Sequence, residues 1–182
     1  LSEVKKNQFL LIEDQHIKKI DDMDNLETVK DYDYLINASG KILLPGFINT
    51  HTHSGMTFLR GYADDMPLDK WLQNKIWPFE SKMNSKDIYW GTALSIIEMI
   101  ESGTTAFADM YFAMDQIAEL VKKSGMRASL AEGLIEVNDG QEGLKKALDF
   151  ALDYRGSADG RITTMLAPHA PYTCSKDYLF KI

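Results

Sequence analysis

Apolar residues in this chain follow two different periods, which alternate from about residue 41 onward. Short apolar and β-branched runs are typical of buried strands, whereas apolar residues recurring every three or four positions are typical of amphipathic helices. The strand pattern occurs at residues 42–48, 104–111, 127–135 and 161–169. The helix pattern occurs at residues 68–78, 84–103, 114–123, 142–154 and from 175 onward. The chain is therefore predicted to contain four strands, each followed by helix.

Residues that stop or cap helices support these bounds. Pro78 is expected to end the first helix, because proline lacks a backbone donor. Asn84 or Ser85 is expected to cap the second helix and Ser175 the last. Gly125 follows the third helix, where a left-handed residue closes many helices. Helix ends are thus predicted independently of the apolar period.

The first 41 residues read as a small β unit. Two strand-like runs, at residues 8–14 and 16–20, flank a turn, and residues 31–37 alternate polar and apolar side chains as a third strand would. The acidic run over residues 21–24 is interpreted as a solvated loop. We expect residues 1–41 to belong to a separate β domain and residues 42–182 to form the α/β domain.

Successive βα units predict a parallel sheet in which sequence neighbours lie side by side with right-handed crossovers. Four such units make half of a (β/α)₈ TIM barrel. A half barrel leaves sheet edges open, which is unfavourable for an isolated domain. The fold class is therefore predicted as α/β, the N-terminal half of a TIM barrel, and the chain is expected to be a fragment of a longer protein.

Two histidines follow the first predicted strand, separated by one residue. Side chains at positions i and i+2 lie on the same face of a strand, so His51 and His53 are expected to project into one space. Converging neutral imidazoles are suitable ligands for a divalent cation such as zinc. The alternative is that the two histidines are unrelated surface or packed residues.

The overall charge argues against some partners. The net charge is −7 and the pI about 5.1, without a basic run, so a nucleic-acid partner is not expected. No apolar stretch approaches the roughly 20 residues of a membrane span. The chain has a single cysteine, Cys174, which fits a reducing compartment. We expect a cytoplasmic protein that binds a small molecule, with a homo-oligomer left open.

Three motifs together resemble the amidohydrolase superfamily. They are LPGFINTHTHSGMTFLRGYADDMPLDKWLQNKIWPFE from residue 44, GTTAFADMYF from residue 103 and APHAPYTCS from residue 167. The branch they resemble most contains 5′-methylthioadenosine/S-adenosylhomocysteine deaminases and chlorohydrolase-like relatives. The resemblance implies a small β-sandwich beside a TIM barrel with one metal ion, zinc or alternatively iron, at its C-terminal face.

By this resemblance His51 and His53 are metal ligands, and Glu80 and His169 contact substrate. Glu80 would accept hydrogen bonds from the ribose hydroxyls of a nucleoside, or else only cap a helix; His169 would touch substrate, or else only bond to backbone. The remaining metal ligands and the catalytic Glu of the family have no counterpart here. No catalytic residue is therefore expected within the chain, which alone should be inactive.

The implied activity is hydrolytic deamination of an adenosine-type nucleoside such as 5′-methylthioadenosine. Alternatives are hydrolysis of chlorinated triazines, deamination of guanine or another aminoheterocycle, and a non-catalytic truncated product. Family members that accept S-adenosylhomocysteine carry arginine after the third strand, where this chain has Glu132. A carboxylate facing the substrate's own carboxylate would repel it, so S-adenosylhomocysteine is not expected to be preferred.

Overall fold

The computed structural model describes residues 3–182, which divide into two compact units at residue 44. The first unit contains an antiparallel hairpin of β1 (Gln8–Glu13) and β2 (His16–Asp22), followed by a 3₁₀ helix (Met23–Thr28). Asp14 forms the turn with a left-handed φ of 54°. The two strands predicted here are confirmed, and the assignment of residues 1–41 to a β-sandwich stays a prediction.

The third strand predicted for this unit is wrong. No strand forms between Thr28 and Phe47, and Tyr34 and Ile36 are largely exposed. A strand needs partners for its backbone donors and acceptors, and β1 and β2 pair with each other. The acidic run is also not a loop, since it ends β2 and begins the 3₁₀ helix.

The second unit is built on a parallel sheet. Its strands are β3 (Phe47–Thr52), β4 (Thr104–Tyr111), β5 (Arg127–Leu134), β6 (Ile162–Thr164) and β7 (Ala167–Pro168). The order is β3-β4-β5-β6, with β7 also paired to β5, and every pair is parallel. The predicted fold class is confirmed. The fourth predicted strand is interrupted, so that β6 and β7 pair with successive parts of β5.

Helices connect these strands. They are α1 (Leu68–Trp71), a π-helical turn (Leu72–Ile76), α2 (Trp77–Glu80), α3 (Ser85–Glu101), α4 (Met114–Ser124), α5 (Glu136–Tyr154) and α6 (Lys176–Leu179). A 3₁₀ helix (Ser54–Leu59) follows β3. Within residues 3–182, no helix combines the length and apolar character needed to cross a membrane.

Two predicted helix bounds are wrong. Pro78 does not end the first helical segment, because it lies in the first turn of α2, where a missing backbone donor costs little. The π-helical turn immediately before it accommodates the change of register. The fourth helix begins at Glu136 rather than 142, with a break at Gly140, whose φ is 52° and ψ −128°.

The predicted caps are confirmed. Asn84 Oδ1 accepts hydrogen bonds from the amides of Lys86 and Asp87 at 2.9 and 3.3 Å, and the Asp87 carboxylate accepts one from the Asn84 amide at 2.9 Å. This capping box fixes the start of α3. Gly125 closes α4 with a φ of 78°, and Ser175 Oγ accepts a hydrogen bond from the Tyr178 amide at 3.1 Å.

One face of the sheet carries the main hydrophobic core. Alternate residues of β4 and β5 pack against α3, α4 and α5. The most buried members of this cluster are Phe107, Met114, Ile117, Val121, Leu130 and Ile162. Because side chains alternate along a strand, the residues between them lie on the opposite face. The site described next lies on that opposite face and at the carboxyl ends of the strands.

Candidate active site

His51 and His53 meet at the carboxyl end of β3. Their ring centroids are 4.9 Å apart and the rings are nearly perpendicular. His51 is exposed and His53 is half-buried. Ala108, Met110 and Met165 line a small cavity of about 60 Å³ with them. The i, i+2 spacing thus brings the two imidazoles together, as expected from the strand geometry.

A backbone carbonyl fixes the orientation of one of these rings. His53 Nδ1 lies 2.7 Å from the Met110 carbonyl oxygen. A carbonyl only accepts hydrogen bonds, so Nδ1 must carry the proton and Nε2 keeps its lone pair. Protein ligands of metals commonly have this arrangement, because the second ring nitrogen of the imidazole is held by a carbonyl or carboxylate.

The pair fits part of a metal site. Two imidazoles on one face, one with a free Nε2, can supply two nitrogen ligands to zinc or iron. Residues 3–182 contain no group of three or more His, Cys, Asp or Glu side chains arranged to hold a metal. Within the described residues, His51 and His53 therefore offer two ligands, and their metal-binding role stays a prediction.

Asp109 anchors the segment between the two histidines from the other face of the sheet. Its carboxylate accepts hydrogen bonds from Thr52 Oγ1 at 2.9 Å, from the Ser54 amide at 3.0 Å and from the Ser54 hydroxyl. Asp109 is 1% exposed, and burial raises the pKa of its carboxyl despite these bonds. The Asp109 side chain therefore positions Thr52 and Ser54 on either side of His53.

Glu80 is held by Tyr111 at the end of β4. The Tyr111 hydroxyl donates a hydrogen bond to Glu80 Oε1 at 2.6 Å. Burial raises the pKa of Glu80, whereas the Tyr111 hydrogen bond and the charge of His53 lower it. Both residues line a cavity of about 170 Å³ that also contacts Met83 and Phe112. Glu80 is therefore a partly desolvated carboxylate near His53.

His169 follows β7 and is held by the loop after it. Its Nδ1 lies 3.0 Å from Thr173 Oγ1, whose own proton is donated to the Ala170 carbonyl at 3.1 Å. Thr173 Oγ1 therefore accepts a hydrogen bond from the Nδ1–H group of His169, and Nε2 of His169 is left as an acceptor. Burial, followed by the charge of His53, lowers the pKa of His169. The imidazole is thus favoured in its neutral form.

Four side chains predicted from sequence therefore lie around the same end of the sheet. His51 and His53 contact each other, the ring centroid of Tyr111 lies 6.3 Å from that of His53, and Tyr111 bonds Glu80; His169 directly follows β7. Each arrives at the end of a strand or in the loop or helix after one, which is where barrel enzymes place their active sites. The substrate-binding roles of Glu80 and His169 stay predictions.

Comparison with known proteins identifies the family. Residues 42–182, most of the chain, match the sequence model described as "Amidohydrolase family". The chain belongs to the amidohydrolase family. The family resemblance predicted from the three motifs is confirmed.

Curated relatives of this amidohydrolase are named as nucleoside deaminases. The chain is 59% identical over 178 residues to the 5-methylthioadenosine/S-adenosylhomocysteine deaminase of Halothermothrix orenii, covering 97% of this chain and 41% of that protein. It is 48% identical over 180 residues to the 5′-deoxyadenosine deaminase of Methanosarcina acetivorans, again covering 97% and 41%. The chain thus spans about two fifths of the length of these relatives.

Solved structures agree on the fold. An adenosine deaminase from Xanthomonas campestris with bound zinc superimposes with a TM-score of 0.85 at 28% identity, covering all of this chain and 42% of that one. Escherichia coli guanine deaminase superimposes with a TM-score of 0.75 at 18% identity, covering 93% and 42%. The second likeness shows a shared fold only.

The structure corrects the interpretation of Glu132 in this amidohydrolase. Glu132 is 5% exposed and lies on the helix side of the sheet, where its carboxylate pairs with Lys146 of α5 and accepts a hydrogen bond from the Met114 amide at 3.4 Å. It therefore does not face an incoming substrate. The predicted repulsion of S-adenosylhomocysteine by this residue is wrong, because the charge is compensated and turned away.

Several contacts of the amidohydrolase site have no local sequence signal. The Met110 carbonyl, the Tyr111 hydroxyl and Thr173 each orient a predicted site residue. The one local signal is Gly55: a Cβ there would lie 2.8 Å from the Tyr111 ring, so a glycine directly after His-Thr-His-Ser indicates close packing. Cys174 is buried and its thiol donates to the Leu134 carbonyl at 3.2 Å.

Proposed function

We propose that the complete protein containing this chain is a metal-dependent deaminase of adenosine-type nucleosides such as 5′-methylthioadenosine. One observation carries the proposal: His51 and His53 converge at the carboxyl end of β3, beside Tyr111, whose hydroxyl donates to Glu80. The similarity to curated nucleoside deaminases supports the same reading.

The two histidines are proposed to hold one divalent cation, zinc or alternatively iron. The zinc in the structurally similar Xanthomonas campestris deaminase supports zinc. When bound, such a cation supplies a hydroxide near neutral pH by lowering the pKa of water toward about 7. His53 is prepared for this role because the Met110 carbonyl keeps its proton on Nδ1.

Glu80 is proposed to bind the sugar of the nucleoside. An ionised carboxylate has two oxygens and can accept hydrogen bonds from both hydroxyls of a vicinal diol. Tyr111 already donates to Oε1, so Oε2 and the second lone pair of Oε1 are the acceptors left for substrate. The partial burial of Glu80 strengthens such bonds, since they form in a medium of lower dielectric than water.

His169 is proposed to contact the base. Its Nε2 is an acceptor, because Nδ1 donates to Thr173. An exocyclic amine of an aminopurine is a donor, and a neutral imidazole can accept from it. Glu80 and His169 would then fix the two ends of the nucleoside relative to the histidine pair, which is the positioning that a hydrolytic attack requires.

Ammonia release by the complete gene product tests this function. The substrates are 5′-methylthioadenosine, S-adenosylhomocysteine, 5′-deoxyadenosine, adenosine and guanine, each assayed with added zinc or ferrous ion. We expect turnover of the adenosine-type nucleosides and none of guanine. Turnover of guanine alone would replace the proposal with the alternative aminoheterocycle hydrolase, and ammonia from none of the five would refute deamination.

A further inference from the structure

The hydrophobic surroundings of Tyr111 explain its ring but not its hydroxyl group. Tyr111 is 4% exposed, yet its hydroxyl is not directed to solvent or backbone; it donates to the Glu80 carboxylate at 2.6 Å. Burial raises the pKa of Tyr111, so the hydroxyl keeps its proton and acts as a donor. A phenylalanine would fill the same space, and the hydroxyl therefore needs another explanation.

Close packing at Gly55 holds the ring of Tyr111 in place. A Cβ at Gly55 would lie 2.8 Å from both Cδ1 and Cε1 of the ring, and a Cβ at Gly91 would lie 2.5 Å from the Gly55 carbonyl oxygen. Helix α3, the turn after His53 and the ring are thus in close contact. Because Tyr111 ends strand β4 of the central sheet, its hydroxyl is fixed relative to the histidine pair.

Glu80 has less support from its own segment. It is the last residue of a continuous helical segment, residues 68–80, that runs from α1 through the π-helical turn into α2. Among the residues that the structure describes, the Tyr111 hydroxyl is the only hydrogen-bond donor to the Glu80 carboxylate. The hydrogen bond from Tyr111 joins residues 31 positions apart and connects this segment to the sheet. The orientation of the carboxylate therefore depends on Tyr111.

We propose that Tyr111 is a positioning residue that holds the Glu80 carboxylate in the orientation required to bind the vicinal hydroxyls of the substrate. This inference rests on the proposed function and extends it by assigning the orientation of the Glu80 carboxylate to Tyr111. Tyr111 itself acts through Glu80 and takes no part in the chemistry at the base.

The test compares Tyr111→Phe with wild type in the complete gene product, using adenosine and 2′,3′-dideoxyadenosine. Loss of a hydrogen bond to a charged group should lower kcat/KM for adenosine about tenfold. The loss should appear in KM, with kcat within about twofold, and the dideoxy substrate should be unaffected. Equal losses on both substrates, or none on adenosine, would overturn the proposal.

Tyr178→Phe is the matched control. Tyr178 is 1% exposed and its hydroxyl donates to the Gly140 carbonyl at 3.0 Å, so the control also removes one tyrosine hydrogen bond from a buried ring, away from Glu80. It should not change the ratio of the two kcat/KM values. In addition, Tyr111→Phe should cost no further activity on adenosine when Glu80 is already Ala, because no acceptor is then left for the Tyr111 hydroxyl to position.

Crystal structures of wild type and Tyr111→Phe separate this proposal from the proposed function. If the wild type deaminates no nucleoside, the function fails, but the orientation of Glu80 still decides the role of Tyr111. We expect the carboxylate to rotate or to become disordered in the variant. A Glu80 carboxylate in the same place in both structures would refute positioning by Tyr111.

Discussion

The imidazole of His53 donates its Nδ1 proton to the carbonyl oxygen of Met110 across 2.7 Å. Strand β4, which carries Met110, thereby determines which ring nitrogen of His53 is left as an acceptor. A side-chain substitution cannot remove this carbonyl, so the orientation is maintained as long as β3 and β4 stay paired.

Removing either histidine of the pair should remove the metal. We expect His51→Ala and His53→Ala each to lower the zinc content of the purified complete protein well below one equivalent and to reduce activity at least 100-fold, because a site missing one ligand binds zinc weakly. Metal content is measured by mass spectrometry after gel filtration. His16→Ala is the matched control, since His16 is an exposed histidine of β2. Full zinc content in both His51 and His53 variants would contradict the assignment.

Gly91→Ala tests the close packing behind Tyr111. Alanine in a helix interior is favoured over glycine by about 1 kcal/mol, so propensity alone predicts stabilisation. The new Cβ, however, would lie 2.5 Å from the Gly55 backbone carbonyl, which cannot move away easily. Overpacking costs about 1–3 kcal/mol, so we expect a lower melting temperature. A variant that melts higher than wild type would show that the turn adapts.

Lys146→Met tests the compensation of Glu132. The substitution leaves a carboxylate that is 5% exposed without its cation. Because the lysine itself is largely exposed, we discount the full cost of breaking a buried pair and expect about 1–3 kcal/mol of destabilisation in urea unfolding. Lys145→Met is the matched control, because Lys145 is an exposed neighbour on the same helix. Adding Glu132→Gln should recover part of the loss, and equal stability of the two lysine variants would refute the pairing.

The contact between Glu136 and Ser175, the N-cap of α6, should make the stability of α6 sensitive to acid. The Ser175 amide donates to Glu136 Oε2 at 2.6 Å, and this bond, followed by the Ser175 hydroxyl, lowers the pKa of Glu136 from 4.5. A carboxyl whose pKa is lowered by folding stabilises the fold above its unfolded pKa and loses that contribution as the pH falls through the folded value. We therefore expect residues 175–182 to exchange amide hydrogens faster below pH 4.5, after correction for intrinsic rates.

Glu136→Gln serves as the reference for this measurement. Glutamine can accept the same hydrogen bond but does not titrate, so exchange in the variant should depend less on pH across the same range. An acid response that is identical in the variant and the wild type would assign the effect to other carboxyls.

Local sequence patterns predicted those parts of the fold that depend on local interactions. The bounds of β4 and the start of α3 followed from apolar period and capping residues. The helix end expected at Pro78 is wrong because the effect of this proline depends on the π-helical turn before it, and no residue pattern in the sequence marks that turn. The supposed strand at residues 31–37 failed for another reason, since alternation does not supply a pairing partner.

The same distinction applies to the site. His51 and His53 could be paired from their spacing, because two residues on one strand have a known relative orientation. The bond between Glu80 and Tyr111 joins the end of a helix to a strand 31 positions away, and no local pattern indicates that contact. The side of the sheet on which Glu132 lies depends on its register against β4, where it pairs with Tyr111.

Alternate residues of the segment from His51 to Ser54 lie on opposite faces of the sheet. The odd positions carry the imidazoles, while Thr52 and Ser54 fasten the segment to Asp109. An insertion or deletion of one residue here would exchange the faces on which the alternate residues lie. The imidazoles would no longer converge, and the hydrogen bonds to Asp109 would be lost. Substitutions at positions 51 and 53, by contrast, leave the hydrogen bonds to Asp109 in place, so other side chains can be placed there without rebuilding the strand.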